Sequence, residues 1–426
     1  MVTIAAGNKT SDVILHRVQI LDQNGGFGAL CDIWIEKGVV RKIGKNLPAS
    51  KDVPALDGQG LWLIPGVFEC HSHVGMFSSD TWENLQTPYS LRVFETEHNL
   101  NKLLQSGVTT VRDAGGIDAG VRSAQQQGLI ASPQLQVSIA LLCQTGGHMD
   151  TYLPGENISI STEGFMPAYP GRPKYVVDGK DEMRRAVRKL IHLGADWIKI
   201  CTTGGIFSGA GGAQCKQFSR EEVEVAVFEA KKANRPVMCH AVGGDGITDA
   251  VLAGVRSIEH GIYLTEQQAA LMAERGTFLV PTLTCYHRLI QLAHMPESPL
   301  PPALVVSAEK LEKQLGASVR LADAFGIPIA LGTDAAERNC HGNSLEEIFW
   351  LWKAGLSVEK ALLAATFQGA ELCGVSDRLG RIQEGYQFDA VLLTKDPAHP
   401  EEFLQPEMVG AVFQGGRRVK SFTQWQ

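Results

Sequence analysis

An α/β fold is what the sequence predicts: a (β/α)8 TIM barrel carrying a small β-sandwich domain built from both chain ends. Three observations predict it. Eight short apolar runs recur through the middle of the chain, helix-patterned segments separate them, and strand-and-turn composition is confined to the two ends. The 426 residues, 44% hydrophobic and 20% charged, have an ordinary globular composition and are too many for one small core.

Residues 1–60 supply the first part of the small domain. "DVILHRVQILD", "CDIWIEKGVVRKIG" and "ALDGQGLWLIPG" cluster β-branched residues between Gly, Asn and Asp punctuation. Residues 61–370 supply the barrel, with "LWLIPGV", "GVTTVRD", "LQVSIALL", "ADWIKICT", "RPVMCHA", "VRSIEHG", "GTFLVPT" and "IPIALGT" as its strands. Between them, "KDEMRRAVRKLIHLG" and "SREEVEVAVFEAKKAN" place apolar residues at helical spacing, the second behind Ser219 as N-cap. Residues 371–426 return to the opening style in "DRLGRIQEGYQFDAVLLTK" and "MVGAVFQGGRRVKSF", so the two ends are expected to pair and clamp the middle shut.

A net charge of −7 without a basic block argues against a nucleic-acid partner. No leader pattern and no window of roughly 18 apolar residues is found, so the expectation is a soluble, cytoplasmic protein without membrane partners. Nine cysteines without a CxxC pair read as reduced, buried thiols.

Active-site residues of such barrels gather at the C-terminal ends of the strands. Those ends carry His71 and His73, then Lys199, His240, His260 and Asp334. His71 and His73 lie two apart on an extended segment and so project the same way. Imidazoles and a carboxylate converging in one pocket suit zinc or a similar divalent ion. Lys199 is unusual, because an ammonium among metal ligands would be repelled by the ions.

The motifs "HSH" at 71–73, "IKI" around Lys199, "CHAVG" at His240, "IEHG" at His260 and "GTDA" at Asp334 resemble the amidohydrolase superfamily over essentially the whole chain. The resemblance is to its branch with a carboxylated lysine and a binuclear centre. It implies two divalent metal ions, expected to be zinc, and a carbon dioxide-derived carbamate on Lys199 that bridges them. It gives His71, His73 and Asp334 to one ion and His240 and His260 to the other. Asp334 then takes a proton from the attacking water and delivers it to the leaving group. "TGGHMDTYLPG", "IKICTTGG", "PTLTCYH" and "HGNSLEEIFWLWKAGLSVEKALLAAT" look like the prolidase-like subgroup, which implies cleavage of the C-terminal amide of dipeptides or N-acyl amino acids. Some relatives hydrolyse ochratoxin. Cyclic-amide or lactone hydrolysis, or deamination, is the alternative within the superfamily, and Lys199 argues against a deaminase.

Substrate contacts are sought near these motifs. His148, after a Gly-Gly turn, could bond the substrate carbonyl or carboxylate, and Tyr286 or His287 could donate to an oxyanion or carboxylate. Arg288 and Arg338 are candidates for a carboxylate clamp or for salt bridges, and His341 and Asn343 for shaping a loop. His16, His98, His192, His294 and His399 are assigned no role. The Gly-rich "TTGGIFSGAGGAQ" lacks the GK[ST] ending of a phosphate loop and reads as an active-site loop. Val242 departs from the second histidine that many relatives carry in "HAHG". The insertion at 154–180 is expected to form a lid, with Tyr152, Phe165, Tyr169 and Tyr175 lining an apolar pocket or packing the loop. Assembly into a homo-oligomer through outer helices is expected, with the aromatic "EEIFWLWKAG" either at the interface or against the barrel.

Overall fold

Parallel strands in the middle of the chain form two arcs. One contains Val67–Ser72, Val108–Asp113 and Gln134–Val137; the other contains Leu141–Leu142, Ile198–Cys201, Val237–Ala241, Ser257–His260 and Phe278–Val280, side by side in chain order. This is a computed structural model, and it describes residues 12–48, 53–78, 81–150, 152–153, 158–159, 173–206 and 212–425. Most strands of the arcs are buried along their whole length, as befits parallel sheet covered on both faces.

Three of the expected runs differ in detail. "LWLIPGV" divides at Gly66, where a Cβ would come within 2.8 Å of Thr109 Cβ. Trp62–Pro65 consequently joins the end sheet, and the parallel arc starts only at Val67, so that His71 and Ser72 are strand residues. "LQVSIALL" breaks between Val137 and Leu141, where Ile139 takes a φ of 69°. "IPIALGT" forms no ladder: it meets its neighbours through single parallel bridges, Leu279 with Ile329 and Ser72 with Ala335. Among the described residues the hydrogen-bonded ring is therefore not continuous.

Both chain ends contribute to one connected set of eight hydrogen-bonded strands. Ala390–Leu393 runs antiparallel to Trp62–Pro65 and stitches the two ends together. Val13–Ile20 bends at a bulge where Arg17 adopts a φ of 54°. Its first half pairs with Cys31–Glu36 and Ala55–Asp57, its second with Trp62–Pro65. The sheet has its own core of Leu15, Val18, Ile33, Ile35, Leu63, Phe388 and Phe413.

The helices follow their sequence signals. Ser219 and Glu222 form a reciprocal capping box at Arg220–Lys232, and Thr265 with Gln268 does the same at Glu266–Arg275. Gly179–His192 buries Met183, Ala186, Val187 and Leu190, one stripe at spacings of three and four. Emptying one such position, as in Leu190→Ala, costs about 2–5 kcal/mol. In Glu346–Lys353, Ile348 and Leu351 are buried while Phe349, Trp350 and Trp352 are half-buried and touch one another. Phe165 and Tyr169 of the expected lid lie outside the described residues; Tyr175 is buried in the main core. No helix among the described residues is long and apolar enough to cross a membrane.

Candidate metal centre

Six side chains from five segments, four in the parallel arcs and the bridging segment 329–335, converge. Ligand atoms of His71, His260 and Asp334 all lie within 4.8 Å of one another. Asp334 Oδ1 is 3.4 Å from His71 Nε2 and 3.3 Å from His73 Nε2, and Lys199 Nζ is 3.5 Å from His71 Nε2. The His240 ring packs 4.5 Å from that of His260, edge to face. Their convergence has a local cost: His260 and Asp334 adopt φ values of 74° and 55°, and Thr282 one of 53°, all left-handed and together worth several kcal/mol at about 1–3 each.

Every imidazole of the cluster is oriented by a partner on one ring nitrogen. His73 Nδ1 donates to Gly115 O at 2.8 Å and His240 Nε2 to Gly204 O at 3.1 Å; His260 Nδ1 meets Thr282 Oγ1 at 2.7 Å and His71 Nδ1 meets Glu259 Oε2 at 2.6 Å. On His71 and His240, whose partners are pure acceptors, the second nitrogen of the neutral ring is thereby left as the acceptor. Burial holds His71 and His240 far below the ordinary histidine range and pushes His260 down to about 3, so these rings are neutral near pH 7. Asp334 behaves oppositely. Burial opposes its ionisation, but the close contact with His73 and the neighbouring His71 and His260 rings holds the carboxyl well below its usual range. Lys199 is also lowered, chiefly by burial. Neutral imidazoles with lone pairs to spare beside an ionised carboxylate fit a divalent cation.

His148 and Tyr286 join the cluster. The His148 ring stacks on His240 at 4.0 Å and lies against Gly205, where a Cβ would intrude; burial lowers it to about 4. Buried Tyr286 sits edge-on to His260 at 5.8 Å. His287 does not join them: it stacks on Trp350 at 3.6 Å, beside Glu312, Arg320 and Lys353. The reason is that "LTCYH" opens the helix Leu283–Ala293, in which neighbours diverge by about 100°. The arginines take the salt-bridge option. Arg288 donates to Cys340 O at 3.1 Å and faces Glu346, while Arg338 pairs with Glu83 and lies over Phe77. Buried His341 contacts Ser72 Oγ, and the Asn343 carbonyl caps the turn into Glu346. His16, His294 and His399 face carboxylates, and His98 and His192 are exposed, in keeping with no role at the cluster.

Buried polar residues behind the cluster escaped the sequence reading. Glu69 accepts from His71 N, Thr333 N, Thr333 Oγ1 and Ser344 Oγ, tying the His71 strand to the segment that carries Asp334. Burial pushes its carboxyl up to about 7. Arg112 bonds both oxygens of Glu259, and Asp113 holds the amides of Val74 and Gly115. A signal was available: charges inside apolar runs, as in "GVFECHSH", "TTVRD" and "RSIEHG".

Residues 62–419 match the model of the Amidohydrolase family. The chain is 33% identical over 379 residues to the ochratoxinase of Aspergillus niger, covering 84% of this chain and 75% of that protein. Among solved structures it resembles a prolidase complexed with N-methylphosphonate-L-proline (TM-score 0.88, 31% identity, 96% of this chain and all of the other). A Xaa-Pro dipeptidase with methionine bound in its active site is also similar (TM-score 0.84, 28% identity, 96% of this chain and all of the other). The converging ligand set and these likenesses lead to one conclusion: the chain belongs to the amidohydrolase family, within its prolidase-like and ochratoxinase-like branch, and is a hydrolase acting on carbon–nitrogen bonds.

Proposed function

We propose that the protein is a two-zinc amide hydrolase that releases the C-terminal amino acid from dipeptide-like or N-acyl amino acid substrates, ochratoxin A among them. The observation that carries this reading is the meeting of His71, His73, Lys199, His240, His260 and Asp334, with an outer partner on each ring. The likeness to ochratoxinase and to prolidases supports the substrate class. In this reading the two arcs and the bridging segment 329–335 form a (β/α)8 barrel spanning 61–370, with 1–60 and 371–426 as the small domain.

His71, His73 and Asp334 would hold one ion, His240 and His260 the other. Lys199, whose burial favours the neutral amine, would bridge them after adding carbon dioxide and losing a proton, as a carbamate. Divalent ions at these ligands supply Lewis acidity, which lowers the pKa of water and polarises an amide carbonyl. Asp334 has the proton work. Its side chain is 20% exposed against 1% for His71, so of the two it is the one open to the cavity. It accepts the proton of the attacking water and returns it to the amine nitrogen as the C–N bond breaks. Burial keeps the Tyr286 phenol protonated and the His148 imidazole neutral, so each can donate a hydrogen bond to the substrate carbonyl.

The test is amino-acid release from a library of N-acyl amino acids, dipeptides and ochratoxin A by zinc-loaded protein, with a chelated control. Release of the C-terminal amino acid that stops on chelation and returns with zinc is expected. Silence across the library with zinc bound would refute this substrate class and direct attention to cyclic amides and lactones.

A further inference from the structure

Of the four oriented imidazoles, one has a charged partner. Gly115 O, Gly204 O and the Thr282 hydroxyl are neutral, whereas His71 meets the Glu259 carboxylate at 2.6 Å. Glu259 is itself held on every side. Arg112 Nη2 bonds its two oxygens at 3.0 and 2.9 Å, and Ser257 Oγ bonds Oε1. Arg112 also bonds Ser257 Oγ at 2.9 Å and the carbonyl of Cys70, next to His71, and its guanidinium lies 4.6 Å from the Trp197 ring. Both members of the pair are fully buried. His71 stands on the Val67–Ser72 strand, Arg112 on its neighbour and Glu259 on Ser257–His260, so the network spans the interior between the two arcs.

Such a pair adds little net stability, because desolvating both charges roughly cancels their attraction. Its effect is felt by the ring it touches. A carboxylate accepts a hydrogen bond about twice as strong as a neutral oxygen does, and so makes His71 the most electron-rich of the four ligands. Arg112 keeps that carboxylate fixed and stops it from swinging into the cavity to act as a ligand itself. We infer that the buried Arg112–Glu259 pair makes the two ion positions unequal, so that the position served by His71 and His73 binds more tightly and fills first. This rests on the two-ion reading above.

The test is back-titration of the metal-free full-length protein with Zn2+ against a chromophoric chelator in bicarbonate buffer. Wild type is expected to take up two equivalents in two resolved steps. Glu259→Gln should weaken the tighter step by roughly 10–100-fold and leave the other unchanged. Thr282→Val, which removes the partner of His260, should weaken only the second step. Because Glu259→Gln leaves Arg112 buried without a counter-charge, the double variant Arg112→Met/Glu259→Gln, free of both charges, is titrated alongside and should show the same loss. Two indistinguishable steps in wild type, or an unchanged tighter step in both Glu259 variants, would overturn this inference while leaving the two-ion reading intact. Failure of wild type to bind zinc would overturn both.

Discussion

Gly205→Ala probes the placement of His148 without touching a metal ligand. A Cβ at Gly205 would lie 2.7 Å from His148 Nδ1 and nearer still to Cε1. Ordinary contact needs roughly 3.5 Å, so the ring must retreat by about 1 Å. The ring is also stacked on His240 at 4.0 Å with the rings 13° from parallel, which hinders its retreat. A 1 Å error in a group that contacts substrate costs roughly 100-fold, or about 2.7 kcal/mol of transition-state stabilisation. Overpacking itself should cost about 1–3 kcal/mol of stability, within what a folded enzyme tolerates. The assay is kcat/KM on the best library substrate in a double-mutant cycle with His148→Ala. Once the ring is gone the clash is gone, so Gly205→Ala should cost nothing further in that background. An equal loss with and without His148 would refute the reasoning, as would full activity of the single variant.

Asp334→Asn should lower kcat by roughly 100- to 10,000-fold, the usual worth of a positioned acid–base group, while folding and at least one bound ion persist; normal turnover would remove Asp334 from the proton path. Lys199→Ala should lose tightly bound zinc and activity together, with partial rescue by a short-chain carboxylic acid, and full zinc occupancy without additive would show that Lys199 is not the bridge. A pH dependence follows from His341, which burial holds down to about 3. Because its folded pKa is depressed below the ordinary 6.5, its contribution to stability is present above pH 6.5 and lost as pH falls toward 3. In denaturant unfolding of metal-free protein, His341→Gln should flatten the acid side of the stability profile by about 1.4 kcal/mol per pH unit, and identical slopes would contradict the assignment.

The ligands were legible because each stands at the end of an apolar run, and a run of four or five buried residues in parallel sheet reads clearly. Where a strand begins or breaks was not legible. The division at Gly66 depends on its contact with Thr109, 43 positions on, and the break at Ile139 on a backbone angle that no pattern announces. Tyr286 and His287 look equivalent as long as "PTLTCYH" reads as a strand end. Once the helix starts at Leu283, one faces His260 and the other Trp350. The outer partners of the rings were hidden for the same reason of distance: His71 and Glu259 are 188 residues apart in the chain.

Buried charge nevertheless points to the site more sharply than histidine does. Glu69, Arg112, Asp113, Lys199 and Glu259 are all buried within parallel strands, where an unpaired charge would cost several kcal/mol. The four other than Lys199 are compensated by specific partners, and each of those partner sets ends on a ligand or on the backbone beside one. Lys199 faces a ligand directly. Histidines without a role are exposed or paired at the surface, so histidine content alone separates nothing. An ionisable residue inside an apolar run is different, because a strand buried on both faces tolerates it only where the interior is already polar. Among the described residues, the charges buried inside the parallel strands gather at one place, the mouth where the ligands meet, and the energetic penalty on charge is what makes that place readable.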